Sequence, residues 1–453
     1  MVTSSKKRRI DSVKLVILGN GFDLGNGLPT SYGDYFKYYN SKNSETFKIV
    51  EEFLIMEKEP DTKFGLRPMS IYYERDLLKS EISKNLSAHI KSLSSLANDK
   101  TISIWHLYFW YSSKSSQHDN INHNWSDVES QIYQLIKDVS AITFIEANQK
   151  ISDIENKLSN LSERLCYPNS TINLTSSQGE EYYKNIYCYF VKQDRFKFIC
   201  DVLLMQRYGK DCESDYLSIL KLELELFEEN FREYIANISE TQINKSRQNI
   251  GIYRDNFFKV TDNKLSSFFI LNFNYTDFSS NRKKENVLIR RDKKEINVEQ
   301  MNVHGVYYSK IIFGIDQTDQ DQEEFYQFTK TYRKMELHNE IPSTKMPRPQ
   351  DINEIIIYGH SLSIADYSYF HSIFDYYDLY GSDVVLNFTY SLYGEKSNHS
   401  NLKKKQVQNI MRLLKYYGDK MFDKERGKNL VHKMLLENRL IIRKISLDSL
   451  EKL

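Results

Sequence analysis

The sequence has few turn-forming residues and no surplus of charge. It contains 16 glycines and 7 prolines among 453 residues, below the roughly 7% and 5% of average proteins. A chain so poor in turn formers is expected to consist largely of long helices. Lysine and arginine number 62 against 61 for aspartate and glutamate, a net charge of +1. No overall field therefore gathers nucleic acid or anionic lipid, although local basic patches can still do so.

Long apolar runs and paired cysteines are also missing. No stretch approaches the roughly 18 apolar residues of a membrane span, and Asp11 and Lys14 interrupt the N-terminal run in a way that argues against a signal peptide. No cysteines form a C-x-x-C pair, which excludes the usual zinc-knuckle spacing and a disulfide framework. The four are Cys166, Cys188, Cys200 and Cys212. We expect a cytoplasmic protein without a metal site, in two or three domains or one domain with insertions.

Glycine is concentrated near the N-terminus. Five of the sixteen glycines fall within fifteen residues: Gly19, Gly21, Gly25, Gly27 and Gly33. They follow a predicted buried strand, Lys14 to Leu18, and precede a helix that Ser31 can cap near Tyr32. A strand, a glycine loop and a helix start form an anion-binding arrangement. The spacing is not G-x-G-x-x-G, because the third glycine comes one residue late. A tight turn explains two glycines, but less easily five.

Residues 41–250 predict a helical insertion. Apolar residues recur three and four apart in two stretches, as in the buried seams between helices. One stretch is Ile151, Ile154, Leu158, Leu161 and Leu165, and the other is Leu220, Leu224, Phe227 and Phe231. Residues 396–453 also predict helix, with a basic run, NLKKKQ, on a solvated face.

Four predicted strands end in glycine or polar motifs. They end at Leu18, Phe273, Val303 and Tyr358, and glycine, asparagine or histidine follows each one. Ligands of open parallel sheets bind outside the carboxyl ends of the strands, so the four motifs indicate one site. The sequence thus predicts an α/β, Rossmann-like, mainly parallel sheet with a large helical insertion. Residues 11–40 and 265–395 would form this discontinuous nucleotide-binding domain.

Several local predictions accompany that fold. KIIFGID predicts a further strand, NRKKENVLIRRDKKE a solvated loop or hairpin, and SDVVLNF a last strand. Asp366 is expected to cap a helix that runs through Tyr380. Nine apolar residues should lie in one sheet: Leu15, Val16, Ile17, Phe269, Leu271, Ile355, Ile356, Val384 and Leu386.

Together the motifs resemble a known family. GNGFDLGNGLPTSYGDYF, LNFNYT, NVHG with FGID, and YGHSLSIADYSYF, in order from about residue 14 to 395, resemble the AbiH family of bacterial abortive-infection proteins. More distantly, the same blocks resemble the NAD-binding fold of sirtuins. That resemblance puts Asn274 on the catalytic asparagine and His304 on the catalytic histidine. It puts nucleotide-binding roles on Gly19, Asn20, Gly21, Leu28, Pro29, Gly359 and Ser361.

Departures from the sirtuin pattern limit what the resemblance implies. The Asp-Phe-Arg of protein deacylases is here Thr30, Ser31 and Tyr32, and their four-cysteine zinc site has no counterpart. Where sirtuin-like proteins often have Asn-x-Asp, this chain has Asn274 and Thr276. The departures argue against a deacylase and leave an NAD-consuming or NAD-sensing site.

The leading hypothesis is an NAD(P) glycohydrolase used in phage defence, with NAD as substrate or ligand. Cleavage of the nicotinamide–ribose bond develops oxocarbenium character on the ribose. His304 would accept a proton, and Asn274 would orient the water or a ribose hydroxyl. Asp23 would bind a ribose hydroxyl or cap a turn. His360 would either contact the ligand or be structural.

Two alternatives remain at this point. The first is a non-hydrolysing nucleotide or ADP-ribose sensor that signals through the helical insertion and does not need His304. The second is a nucleic-acid-acting effector using basic segments near Arg8 and Arg290, against which the near-zero charge argues. The expected partners are a small nucleotide, a phage-derived trigger and, in one arrangement, a second copy of the chain.

Overall fold

The chain divides into two compact units. The computed structural model describes residues 13–55, 96, 101–115, 128, 131–136, 199–200, 203–204, 207–208, 216–261, 267–278, 286–291, 294–316, 323–338, 344–391 and 399–448. The first unit comprises Met1–Tyr35, His123–Ser130 and Glu228–Leu453, and the second comprises Phe36–Asn122 and Gln131–Phe227. In this division residues 228–250 and 396–453 belong to the first unit. Tyr234 connects the segment after Glu228 to the N-terminal part of the first unit, because its hydroxyl donates a hydrogen bond to the Pro29 carbonyl at 2.7 Å.

The first unit is built on a seven-stranded sheet. Its strands are β1 (Val13–Leu18), β2 (Ser267–Asn272), β3 (Asn286–Arg291), β4 (Lys294–Asn302), β5 (Ile352–Tyr358), β6 (Val385–Ser391) and β7 (Leu440–Ile445). Their order in the sheet is β3-β4-β2-β1-β5-β6-β7, and only β3 is antiparallel to its neighbour. Numbered along the chain, the six parallel strands have the order 3-2-1-4-5-6 of the doubly wound Rossmann sheet. The predicted α/β, Rossmann-like class is confirmed.

Along the chain, the described helices all lie between β1 and β7. They are α1 (Gly21–Gly25), α2 (Tyr32–Lys42), α3 (Ser44–Ile55), α4 (Ile104–Ser115), α5 (Tyr216–Ile238), α6 (Arg247–Val260), α7 (Lys330–Glu336), α8 (Tyr367–Tyr376), α9 (His399–Lys420) and α10 (Lys424–Leu436). A π-helical turn covers Ser239–Ile243, and 3₁₀ turns cover Glu323–Phe328, Pro349–Asp351 and Ile364–Asp366. None of the helices in the described ranges has the length and apolarity that crossing a membrane requires.

Most local predictions for the sheet are confirmed. Eight of the nine apolar residues lie in β1, β2, β5 and β6, and Val384 directly precedes β6. The charged segment after β2 forms the β3–β4 hairpin, one of its two predicted alternatives. Ser31 accepts a hydrogen bond from the Asp34 amide at 3.1 Å, so it caps α2 as predicted.

Three local predictions are wrong. KIIFGID makes only isolated bridges, including Gly305 with Ile311, and its apolar run reflects burial in the core. The segment after residue 396 is not wholly helical, because Leu440–Ile445 pairs in parallel with β6. Its β-branched isoleucines favour a strand, and the edge of β6 supplies the partner. Helix α8 ends at Tyr376 and not at Tyr380, since Asp378 has a positive φ of 43°.

Both faces of the sheet are covered. On one face Leu15 and Ile17 belong to a core that includes Phe370 of α8 and Leu414 of α9. On the other, Phe257 of α6 packs edge-on against Phe268 of β2 with ring centroids 5.3 Å apart. Because both faces are buried, the sequences of these strands are continuous apolar runs and do not alternate between apolar and polar residues.

One charged pair lies inside the parallel core. Lys14 of β1 stands opposite Glu354 of β5, with Nζ and Oε2 2.6 Å apart. Asn387 of β6 donates to the other oxygen of Glu354 at 2.9 Å. The contacts hold three neighbouring strands in register, and loss of one charge would leave the other buried.

The second unit buries a carboxylate of α5. Glu223 accepts hydrogen bonds from the Ile104 amide at 2.7 Å and from Arg207 at 2.8 Å. It thereby ties the start of α4 to α5. The predicted apolar stripe on α5 is confirmed, since Leu220, Leu224, Phe227 and Phe231 are all buried.

Some predicted features lie outside the described residues. They are the stripe Ile151, Ile154, Leu158, Leu161 and Leu165, the basic segment near Arg8, and Cys166, Cys188 and Cys212. Cys200 is described, and it is a buried free thiol.

The contact between α9 and α10 generates a stability prediction. A Cβ placed on Gly427 would overlap the carbonyl oxygen of Gly418, so we expect Gly427→Ala to lower the free energy of unfolding by about 1–3 kcal/mol. Gly251 is the matched control, because it lies in α6 and a Cβ there meets nothing within 4 Å. Gly251→Ala should raise stability by about 0.4–1 kcal/mol. Urea unfolding measures both, and equal effects would contradict the close helix contact.

Candidate functional site

The loops after β1 and β5 meet where the strand order reverses. Gly19 and Gly21 donate backbone hydrogen bonds to Tyr358 at 2.9 Å and to Gly359 at 2.7 Å. A Cβ on Gly19 would lie 2.5 Å from the Cα of His360, and one on Gly21 would lie 2.7 Å from the Cα of Gly359. Gly359 also has a φ of +70°, which favours glycine. These glycines therefore serve the contact between two loops, and two of the amides predicted to bind phosphate already donate within the protein.

The other residues predicted in the first glycine loop hold that loop together. Asn20 exchanges hydrogen bonds with Thr30, whose hydroxyl donates to Oδ1 at 2.7 Å. Leu28 is buried, and the Pro29 carbonyl accepts the Tyr234 hydrogen bond. In the second loop, Ser361 is exposed and its carbonyl accepts a hydrogen bond from Asn409 at 3.1 Å.

Asp23 joins three segments of the first unit. Its carboxylate accepts hydrogen bonds from the Tyr253 hydroxyl at 2.9 Å and from the Thr276 hydroxyl at 2.8 Å. Burial raises the pKa of Asp23 to about 6, although the two hydroxyl hydrogen bonds oppose the change. The side chain thus connects the loop after β1, the loop after β2 and helix α6. Both of its oxygens are occupied by protein hydroxyls.

Buried amides organise the loop after β2. Asn272 donates to the Thr276 carbonyl at 2.9 Å and accepts from the Asn274 amide at 3.1 Å. Asn302, at the end of β4, donates to the carbonyls of Asn274 at 3.0 Å and Thr276 at 3.2 Å. Side chains from two neighbouring strands therefore hold the backbone of residues 272–276.

Asn274 stands apart from the side chains that hold this loop. It is 3% exposed, yet neither its Nδ2 nor its Oδ1 has a hydrogen-bond partner among the described residues. Buried polar groups are nearly always satisfied, and leaving one unpaired typically costs about 1–3 kcal/mol. A buried amide without a partner, at the carboxyl end of a central strand, is suited to binding a polar ligand.

A carboxylate from the start of α8 lies between two histidines. The Nε2 atoms of His304 and His360 lie 3.4 Å from Oδ1 and Oδ2 of Asp366, respectively. The Lys330 ammonium lies 2.8 Å from the same Oδ1. The ring of Phe273 packs edge-on against both imidazoles, at 5.4 Å from His304 and 4.7 Å from His360. The structure thus brings together the two predicted histidines beside the residue that precedes Asn274.

Burial and charge set the protonation of this cluster. Burial lowers the pKa of His304 to about 4, and Lys330 acts in the same direction while Asp366 opposes it. Burial likewise lowers the pKa of His360. Burial would raise the pKa of Asp366, but Lys330 and the two histidines hold that pKa well below its usual range. At neutral pH the cluster therefore consists of two neutral imidazoles, a carboxylate and an ammonium.

A second lysine and a second carboxylate lie near this cluster. Lys334 donates to the Val303 carbonyl at 3.3 Å, one residue before His304. Arg333 is offset by Glu228, which it contacts at 2.8 Å. Asp316 lies close enough to Lys330 and Asp366 for their charges to affect its pKa, so two carboxylates, Asp316 and Asp366, lie near the two lysines. Within the described ranges, no three His, Cys, Asp or Glu side chains are arranged to hold a metal ion.

The sequence interpretation missed Asp366 and Lys330 as members of the site. Asp366 does occupy the N-cap position of α8, as predicted, but it makes no side-chain capping hydrogen bond. Its carboxylate turns to the histidines and the lysine. Its position six residues after His360 was the available signal, and a helix cap explained it equally well. Lys330 lies in no recognisable motif, so only the fold identifies it.

The unpartnered amide of Asn274 predicts that two neighbouring asparagine substitutions differ in their effect on stability. Asn274→Ala removes two unsatisfied atoms, so we expect the ligand-free variant to keep or raise the melting temperature. Asn272→Ala, two residues earlier, removes two made hydrogen bonds and should cost about 1–3 kcal/mol. Differential scanning calorimetry compares the two variants. Equal destabilisation would mean that Asn274 is an ordinary structural asparagine.

The pKa of Asp23 generates a pH prediction. Because the folded protein binds this proton more tightly than the unfolded chain, the contribution of Asp23 is full below pH 4 and is lost as pH rises through about 6. The raised pKa corresponds to roughly 3 kcal/mol. Asp23→Asn cannot ionise, so its stability relative to the wild type should increase between pH 4.5 and pH 7. Urea unfolding at both values tests this, and parallel pH curves for the two proteins would contradict it.

Comparison with known proteins adds the family. The model of the family described as bacteriophage abortive infection AbiH matches residues 15–390. No match was found among curated proteins or among solved structures. The matched span runs from β1 into β6 and contains the glycine loop, Asn274, His304 and His360. The chain therefore belongs to the AbiH family, and its role is in bacteriophage abortive infection.

Proposed function

We propose that this AbiH protein acts in abortive infection by binding NAD and hydrolysing it to nicotinamide and ADP-ribose. The observation that carries the proposal is the unpartnered Asn274 amide beside the His304 cluster, at the carboxyl edge of a sheet with Rossmann strand order. This arrangement combines a position that suits a dinucleotide with side chains that suit its cleavage.

The strand order supports a dinucleotide. In doubly wound sheets, dinucleotides bind outside the carboxyl ends of the strands where the order reverses. In this sheet the reversal lies between β1 and β5, and the loops of Gly19–Gly21 and Gly359–Ser361 follow those strands. Fold alone does not establish function, so the argument depends on the side chains at that edge.

The side chains at the edge suit the two parts of NAD. The unsatisfied amide of Asn274 can both donate to and accept from a ribose hydroxyl or a water molecule. The Lys334 ammonium contacts the Val303 carbonyl and can attract an anion such as a pyrophosphate. The amides of Gly19 and Gly21 are occupied, so Lys334 and the Gly359–Ser361 loop are the better candidates for holding the phosphates.

The reaction requires little covalent chemistry from the protein. The bond between ribose C1′ and the nicotinamide nitrogen breaks, and its electron pair leaves with nicotinamide. A water oxygen bonds to C1′, and the proton that it loses passes to the neutral imidazole of His304. Asn274 orients that water or the ribose hydroxyl through its amide.

Burial of the site suits an effector that is inactive before infection. The polar atoms of Asn274 have no contact with solvent, and His304 is 6% exposed. A nucleotide can therefore reach them only after a neighbouring part of the chain moves. A trigger produced during infection would supply the free energy for that movement through its preference for the open state.

The direct test is release of nicotinamide by the purified protein incubated with NAD, with and without lysate of phage-infected cells. We expect His304→Ala and Asn274→Ala to fold, yet to lose cleavage and phage protection. A positioned general base contributes typically about 10²–10⁴-fold, or roughly 3–5 kcal/mol of barrier. Because both residues act on one transition state, the double variant should be little worse than either single variant.

His432→Ala is the matched control, since His432 is an exposed histidine of α10. It should retain full cleavage and protection. If the wild type releases no nicotinamide either with or without the lysate, or if His304→Ala protects cells fully, hydrolysis is excluded. Nucleotide-dependent stabilisation without cleavage would instead support the sensor alternative. Steep salt-dependent binding of RNA or DNA would support the nucleic-acid alternative.

A further inference from the structure

We infer that Asp366 is a positioning residue, which holds His304 in the tautomer protonated at Nε2 and so leaves Nδ1 as the atom that accepts a proton. This inference rests on the proposed function for its catalytic meaning, but the tautomer itself can be measured without any nucleotide.

The contact between His304 and Asp366 determines where the imidazole proton lies. Nε2 of His304 faces Oδ1 of Asp366 at 3.4 Å, which is at the long end of hydrogen-bonding distance. An ionised carboxylate only accepts hydrogen bonds. A lone pair on Nε2 would therefore face the negative oxygen and be repelled, whereas an N–H there is attracted. The ring nitrogen opposite such a hydrogen bond becomes the more basic one.

His360 fixes the other side of the carboxylate. Its Nδ1 accepts a hydrogen bond from the backbone amide of Leu362 at 2.9 Å. Neutral imidazole carries one proton, so Nε2 of His360 bears it and faces Oδ2 of Asp366. Leu362 adopts a φ of +54°, uncommon for a residue with a side chain, as its amide approaches this ring. Each oxygen of Asp366 thus faces one imidazole.

Lys330 keeps the carboxylate ionised and in place. Its ammonium contacts Oδ1 of Asp366 at 2.8 Å and the carbonyl of Ala365 at 3.2 Å, and the lysine is itself buried. An ammonium at this distance favours the charged form of the carboxylate. The ionised form is the one that selects the Nε2 tautomer of both histidines.

The remaining nitrogen of His304 is available for chemistry. Among the described residues, Nδ1 of His304 has no hydrogen-bond partner. Phe273 and Tyr369 pack edge-on against the ring at 5.4 and 5.5 Å, which limits its rotation. In the proposed hydrolysis, the proton lost by water passes to Nδ1. The resulting imidazolium is stabilised by the carboxylate at Nε2, and it later returns the proton to solvent.

The tautomer is measured by long-range ¹H–¹⁵N NMR on the nucleotide-free protein labelled at histidine nitrogen. The signals of His304 and His360 are assigned by their loss in His304→Gln and His360→Gln. We expect both wild-type rings to be protonated at Nε2 at pH 7. In Asp366→Asn the His304 ring should show a mixture of the two tautomers, since the neutral amide no longer discriminates between them.

Asp316→Asn is the matched control. Asp316 lies close enough to Lys330 and Asp366 for their charges to affect its pKa, but its carboxylate accepts hydrogen bonds from the Ser368 amide and hydroxyl and from neither His304 nor His360. The substitution removes the same charge and should leave both tautomers unchanged. A change of tautomer in Asp316→Asn as large as that in Asp366→Asn would overturn the inference, because net charge alone would then explain the effect.

Kinetics provides the second measurement. Asp366→Asn should lower kcat for NAD cleavage about 10–100-fold with little change in KM, because the carboxylate acts through His304 and does not contact the nucleotide. Protonation of wild-type His304 at Nδ1 overturns the inference even if Asp366→Asn does not fold. Absence of NAD cleavage together with the expected tautomers would instead exclude the proposed hydrolysis and leave the role of Asp366 intact.

Discussion

The backbone contact between the loops after β1 and β5 is the constraint on which the carboxyl edge of this sheet depends. Gly21 and Gly359 approach so closely that neither position has room for a Cβ, and the Gly21 amide donates to the Gly359 carbonyl at 2.7 Å. His360 follows Gly359 directly, so this contact sets where its ring lies. The position of Asp366 between His360 and His304 depends in turn on that ring. Glycine is needed here for the approach of two chain segments.

Polar side chains buried at the carboxyl edge of the sheet reduce the stability of the fold. Asp23, Asn274, His304 and His360 are all buried, and burial of polar or ionisable groups is unfavourable unless they are paired. Asp23 and the histidines have partners, whereas the Asn274 side chain has none in the described residues. Functional sites are where proteins commonly depart from the rule that buried polar atoms are satisfied. The unsatisfied side chain of Asn274 is such a departure at the carboxyl edge of the sheet.

Much of the fold could be predicted from the sequence, because the signals are local. Buried apolar runs such as Lys14–Leu18 predict strands covered on both faces, and these strands pair in parallel as expected. Strand β7 was missed because a long helical pattern precedes it. KIIFGID was misassigned because an apolar run reports burial and not backbone conformation. Domain boundaries depend on which distant segments pack together, and local sequence patterns do not show this.

The sequence by itself determined the α/β class, the central strands and the placing of Asn274, His304 and His360 after strand ends. Tertiary structure alone decided the partners of these residues. Asp23 meets Tyr253 and Thr276 from 230 and 253 residues away, and Lys330 reaches Asp366 from a different helix. Asp366 therefore contacts the histidines and makes no capping hydrogen bond, although local sequence suits a cap. Hydrogen bonds of this kind depend on distances between chain segments, which local sequence patterns do not contain.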